Sequence, residues 1–320
     1  MNVGCIKQGS WHHVFSLTQS HSQNSSIAFD SASIMSTQQT ARTQYVDVEG
    51  IKFAYRRFGR RSDIPLVFLM HFRGTMDHWD PALINQLALT RELILLDNSG
   101  VGKSGGEVPD NYPQWADNVI ALMAAIGLKR IDLLSWSMGG IVAQFVAIKA
   151  PKLIRRLLLP GTMPTAGEDV VPGPPEPFQL IIDATTEAEI ENGYMKTYFT
   201  LSEEKQKLGK ESWDRIHERK EDGTSWVAHE GAERQVAAAQ SIFAKGLGGG
   251  EGTYDRLGEI TMPVFVANGD HDILTPTSNS FVLQRLLPNA YLHIYPDAGH
   301  GFLFQYASLF AQHVNIFLDN

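Results

Sequence analysis

The feature that most constrains this 320-residue chain is a series of short apolar runs: IPLVFLM (64–70), ELILLD (92–97), IDLLSWS (131–137), IRRLLLPG (154–161), MPVFVANGD (262–270) and AYLHIYPD (290–297). A strand with one wet face alternates apolar and polar residues. A near-continuous run reads instead as a strand buried on both faces, as in a parallel sheet between two helix layers. Helical stretches separate the runs, most clearly at residues 113–126. There Pro113 suits a first helical turn, Trp115, Val119, Leu122 and Ile126 share one face, and Gly127 suits the stop. Ahead of the runs, QYVDVEG and IKFAYRRFG alternate about Glu49-Gly50 as the arms of an antiparallel hairpin do. The pattern predicts an α/β fold with a doubly wound, mostly parallel sheet and right-handed crossovers.

Such sheets place their active sites at the carboxyl ends of the strands. At one of these ends, DNSGVGKSGG (97–106) contains Gly102-Lys103-Ser104, which looks like the end of a phosphate-binding loop. A true loop needs a further glycine where this chain has Asp97, and it must open directly into a helix that receives the phosphate. Here Gly105, Gly106, Pro109 and Pro113 follow, so nucleotide binding is set aside. At another end, Ser135-Trp136-Ser137-Met138-Gly139 has the pattern of a nucleophile elbow, with serine in place of its first glycine. The apolar segment after it, up to Pro151, predicts a buried helix whose N-terminus favours negative charge developing at Ser137. A serine nucleophile needs a base, and the base needs an orienting acid. After the next-to-last strand comes NGDHDILTP, with Asp270 and Asp272, and after the last comes DAGHGFLFQ, with His300.

The order Ser, Asp, His, together with the elbow, resembles the α/β-hydrolase superfamily, in the branch of small-molecule esterases, lactonases and cofactor-free haloperoxidases. The likeness covers residues 44–162 and 256–320. It implies an eight-stranded sheet and a triad of Ser137, His300 and an acid. Asp272 matches the family's G-x-x-D pattern, while Asp270 suits a turn. Asp97, Gly100, Gly102 and Ser104 match the family's D-x-x-G-x-G-x-S, so these glycines shape a loop and Lys103 is an exposed charge. The oxyanion hole is expected from the N–H groups of Met138 and of Phe72, in MHFRGTMDHWDP, where Met70-His71 stand at the family's His-Gly. His71 at a glycine position implies an altered turn or an unusual backbone at His71. Arg73 is expected to pair with an acid near Asp77 or Asp97, or to clamp a substrate carboxylate. Trp136 and Phe72 are the expected substrate contacts. His71, His78, His271 and His293 read as structural or solvated, and Asp270-His271-Asp272 matches no metal-ligand spacing.

Residues 163–255 break the rhythm, beginning with VVPGPPEP and ending near GLGGGEG (246–252). The resemblance implies a helical cap, with Tyr194, Met195, Tyr198, Phe199, Trp213, Ile216 and Trp226 forming mostly its own core and the glycines permitting movement. Residues 1–43 read as a disordered extension in which Met35 is a second candidate start, and His12 and His13 read as solvated. A net charge of −8 argues against nucleic-acid or anionic-membrane partners. The single cysteine, Cys5, excludes an intramolecular disulfide. No signal-peptide core or membrane-spanning run is present in the sequence, which reads as cytoplasmic. The expectation is a cofactor-free, metal-free serine hydrolase taking a small acyl substrate: an apolar ester, thioester or lactone. An acyltransferase, a perhydrolase or a hydrolase-fold ligand receptor would use the same residues, and the oligomeric state leaves no mark in the sequence.

Overall fold

The computed structural model describes Met1, residues 36–243 and residues 252–320. Eight strands form one sheet: β1 Thr43–Val48, β2 Ile51–Gly59, β3 Leu66–Leu69, β4 Glu92–Leu96, β5 Ile131–Ser135, β6 Ile154–Pro160, β7 Val264–Gly269 and β8 Ala290–Tyr295. Their order is β1-β2-β4-β3-β5-β6-β7-β8. The hairpin β1–β2 and the β2–β4 pair are antiparallel, and the pairs from β4 to β8 are parallel. Glu49 and Gly50 close the hairpin at φ 54° and 82°. Two successive residues with positive φ are what a type I′ turn requires, and its twist matches the strands.

The unbroken apolar runs are explained by two cores, one on each side of the sheet. Leu66 and Phe68 of β3 face one core, with Leu134, Leu158 and Phe265. Val67 and Leu69 face the other, with Leu133, Leu157 and Val264. Successive side chains of a strand point to opposite faces, so both faces must be apolar. The first core is covered by α1 (Pro81–Ala88) and α10 (Ala307–Asp319), the second by α2 (Tyr112–Ala125), α3 (Met138–Lys149) and α8 (Ser278–Leu286). The predicted stop of α2 is present, with Gly127 at φ 79°. β8 departs from the expectation of burial on both faces: Tyr291 and His293 are exposed. It is an edge strand of the sheet, paired only with β7.

Among the described residues between β6 and β7 are four α-helices, α4 (Pro175–Ile182), α5 (Glu187–Tyr198), α6 (Glu203–Ile216) and α7 (His229–Phe243). The proline-rich entry ends with Pro175 at the first position of α4, where its missing N–H costs nothing. Of the glycine-rich stretch, all but Gly252 lies outside the described residues, as do Cys5, His12, His13 and Met35. The extension predicted for residues 1–43 is too long at its C-terminal end. Gln38 is buried, and its amide donates to the carbonyls of Met76 and Trp79, while its N–H donates to Asn85 Oδ1. Polar composition suggested a tail, but this amide satisfies main-chain acceptors of the turn that follows β3.

Candidate active site

β5 feeds straight into α3, and the connection is Trp136-Ser137. Ser137 sits at φ 59°, ψ −122°, a backbone region that costs a non-glycine residue of order 1–3 kcal/mol. Hydrogen bonds to both neighbouring strands hold it there. Trp136 N–H donates to Leu69 O at 3.0 Å, Ser137 N–H to Pro160 O at 3.1 Å, and Thr162 Oγ1 to Ser137 O at 2.7 Å. The turn is so tight that a Cβ on Gly139 would stand 2.6 Å from Leu69 O, and one on Gly140 2.6 Å from the Thr162 side chain. Ser135 fits in place of the first glycine, fully buried, its hydroxyl unpaired among the described residues. Ser137 is half-buried at the N-terminus of α3, whose dipole favours an anion there.

The loops after β7 and β8 bring Asp272 and His300 together at 2.7 Å, Oδ2 to Nδ1, both buried. Asp272 Oδ1 also accepts the N–H groups of Leu274 and Thr275 at 2.9 Å, and Oδ2 accepts Thr275 Oγ1 at 2.7 Å. A carboxylate bonded to three other donors is an acceptor here, so His300 Nδ1 is the donor of the bond between them. Asp270 serves elsewhere, bonded to His271 Nδ1 at 2.6 Å and to Ala298 N–H at 3.1 Å. The His300 ring lies 5.3 Å from that of Trp136, the residue before Ser137. A Cβ on Gly161 would lie 2.9 Å from Trp136 Nε1 and 3.4 Å from His300 Cε1, so the chain past β6 must be bare to let the two rings meet. Among the described residues no hydrogen bond joins Ser137 Oγ to His300, a contact that often tightens only with substrate in place.

The loop after β3 makes a turn closed by Gly74 N–H donating to His71 O at 3.1 Å. Its left-handed residue is Arg73, at φ 61°, and not His71. His71 Nδ1 donates to Phe72 O at 2.7 Å, and burial drives its pKa down to about 3, so the ring is neutral. One expectation fails at Arg73, which does not pair with Asp77 or Asp97. Its buried guanidinium donates to main-chain carbonyls of Val227, Ile181 and Ala184 at 2.9, 2.8 and 2.7 Å. Asp97 instead accepts the N–H groups of Met76 and Lys103, and Gly102 must lack a side chain because a Cβ would meet its carboxylate at 2.2 Å. Lys103 is paired with Asp222 at 2.9 Å rather than free in solvent. Trp136, expected as a substrate contact, stands behind the elbow. It is fully buried, packed by Trp79, Phe304, His71 and Tyr198, and offers a ligand no surface. Phe72 stays half-exposed.

A match to the family described as alpha/beta hydrolase fold spans residues 64–306. The chain belongs to the α/β-hydrolase family. An α/β-hydrolase fold protein from Chitinophaga pinensis superimposes on this hydrolase with a TM-score of 0.80 and 32% identity, covering 89% of this chain and all of that one (100%). A 2-hydroxy-6-oxononadienedioate/2-hydroxy-6-oxononatrienedioate hydrolase of a Pseudomonas species is 27% identical over 71% of this chain and 76% of its own length. The 2-hydroxymuconate semialdehyde hydrolase of Pseudomonas putida is 26% identical over 72% and 77%.

Within this α/β-hydrolase, the inserted helices reach the site through residues that no motif marks. The carbonyl of Tyr198, at the end of α5, accepts Gly301 N–H at 2.8 Å. The glycines flanking His300 make that contact possible, since a Cβ on Gly299 would lie 2.8 Å from Tyr198 O and one on Gly301 3.0 Å from it. The Tyr198 ring packs edge-on to His300 and Trp136, with its hydroxyl 3.0 Å from His71 Nδ1. Tyr194 packs on Phe199 and Trp213 within the insertion, and all three belong to the same buried cluster as the first core of the sheet. Trp226 stacks on His78 at 3.9 Å. Thr275, three residues past Asp272 in NGDHDILTP, carries no mark in the sequence of its role as a donor.

Proposed function

We propose that this α/β-hydrolase cleaves a small, largely apolar carboxylic ester, thioester or lactone through an acyl-enzyme on Ser137. The observation that carries the reading is the buried Asp272–His300 pair, whose imidazole packs on Trp136, together with the next residue, Ser137, held in a strained elbow at a helix N-terminus. His300 Nε2 takes the proton from Ser137 Oγ as it attacks the acyl carbon. Asp272 holds the ring and stabilises the imidazolium, whose proton then goes to the leaving oxygen or sulfur. The N–H groups of Met138 and Phe72 receive the tetrahedral oxyanion. Water, deprotonated by His300, releases the acid. No step calls on a metal or an organic cofactor.

The preference for an uncharged acyl group rests on two neighbours of the elbow: Phe72 is apolar and half-exposed, and Arg73, the cation in the same turn, commits Nε and Nη1 to main-chain carbonyls. We read residues 163–255 as a cap that excludes water from a core of residues 44–162 and 256–320. No described helix is long and apolar enough to cross a membrane, consistent with a small-molecule substrate met in water.

The test is hydrolysis of p-nitrophenyl esters of increasing acyl length, alongside thioesters, lactones and the oxo-dienoate substrates named for the relatives. Ser137→Ala should abolish turnover, and Asp272→Asn should lower kcat by about 10³–10⁴. Full activity in Ser137→Ala overturns the proposal. Competition between water, alcohol and peroxide identifies the acceptor: acid as the main product supports a hydrolase, whereas ester or peracid indicates acyl transfer or perhydrolysis.

A further inference from the structure

We propose that Arg73 is a positioning residue that makes the shape of the oxyanion turn depend on the docked insertion. The inference rests on the reading of Phe72 N–H as an oxyanion donor. Arg73 follows Phe72 directly and is the second central residue of the turn from His71 to Gly74. A turn with one positive φ at that position is of type II, which favours glycine there. Arginine instead occupies φ 61°, so the turn is strained and needs outside support.

Every described hydrogen-bond partner of Arg73 lies in the insertion. Arg73 N–H donates to Gln235 Oε1 of α7 at 2.8 Å, and Arg73 O accepts Val227 N–H at 2.9 Å. The guanidinium sends Nε to Val227 O and Nη1 to Ile181 O and Ala184 O. Ile181 and Ala184 lie at the C-terminal end of α4, where carbonyls lack helical partners and the dipole favours a cation. The side chain is buried, with no carboxylate among its described partners. A charged fork whose Nε and Nη1 are bonded to main-chain carbonyls of a separate segment is a clasp. It fixes the peptide next to the Phe72 donor only while α4, residue 227 and α7 are seated.

Two substitutions at one position separate this role from simple tethering. Arg73→Met and Arg73→Gly both lose the fork, but only glycine takes φ 61° without strain. With rates normalised to titrated active sites, Arg73→Met should lose roughly 30- to 100-fold in kcat, somewhat less than removal of an oxyanion donor. Arg73→Gly should lose no more than about fivefold, and KM should change by less than about threefold in both. Phosphonylation of Ser137 by a fluorophosphonate should slow in parallel with kcat. Equal losses in the two variants, or a change confined to KM, overturn the proposal. Should neither variant fold, Gln235→Met decides, since it keeps the fork and removes only the acceptor of Arg73 N–H. A fall in kcat of several-fold at constant KM supports the role, and an unchanged kcat overturns it. Wild-type protein that neither labels nor turns over esters contradicts the function beneath the proposal; an active wild type with equal losses contradicts Arg73 alone.

Discussion

At the scale of single residues, the site is built from groups held where they would not rest alone. Ser137 occupies a backbone region that glycine tolerates and other residues do not. Alanine is ordinarily the more stabilising of alanine and glycine, but here the order should reverse. Ser137→Gly should be more stable than Ser137→Ala by about 1 kcal/mol in urea denaturation, both being inactive. An alanine variant as stable as the glycine variant would show that the elbow is unstrained. His71 gives a pH signature. Its pKa is about 3 in the folded protein against an ordinary 6.5, so unfolding takes up a proton between those values and stability falls as pH falls through that window. The contribution approaches about 1.4 kcal/mol per pH unit, is complete above pH 6.5, and is missing in His71→Leu. The stability gap between wild type and that variant should therefore narrow on acidification. A gap that stays constant from pH 7 to 4 would mean that the ring is not held neutral.

At the scale of elements, what the sequence discloses depends on what each element has to bury. The strands from β3 to β7 were legible because burial on both faces leaves a run of apolar residues, and β8 was misjudged only in its exposed face. The elbow and the Asp272–His300 pair were legible because a tight turn and the loops that end β7 and β8 leave short local patterns. The role of Arg73 was not, because its guanidinium bonds to main-chain carbonyls as much as 154 residues away, and a carbonyl has no residue type. The glycines round His300 were visible but their reason was not: they make room for the end of α5. Gly301→Ala should test that reason, since its Cβ would come within 2.9 Å of Tyr198 Cβ. Because Gly301 lies at φ −87°, the substitution adds no backbone strain, and the loss of about 1–3 kcal/mol comes from the crowded contact alone. Esterase activity should fall with it, as the His300 loop and α5 separate. A variant with unchanged melting temperature and rate would show that α5 does not bear on that loop.

At the scale of the whole described chain, sheet and insertion meet at the site rather than beside it. The core supplies Ser137, Asp272, His300 and the turn at Phe72, and the insertion holds two of those four through Tyr198 and through the partners of Arg73. Residues 36–43, expected to be loose, are part of the same framework because Gln38 ties them to the turn after β3. The central claim is that this framework activates one serine. The measurement that tests it most directly is labelling of the purified protein with a fluorophosphonate, read by intact mass and peptide mapping beside Ser137→Ala. One adduct per chain, on the peptide containing Ser137 and lost in the variant, is the predicted result. Folded protein that stays unlabelled, or an adduct that persists in Ser137→Ala, would contradict it.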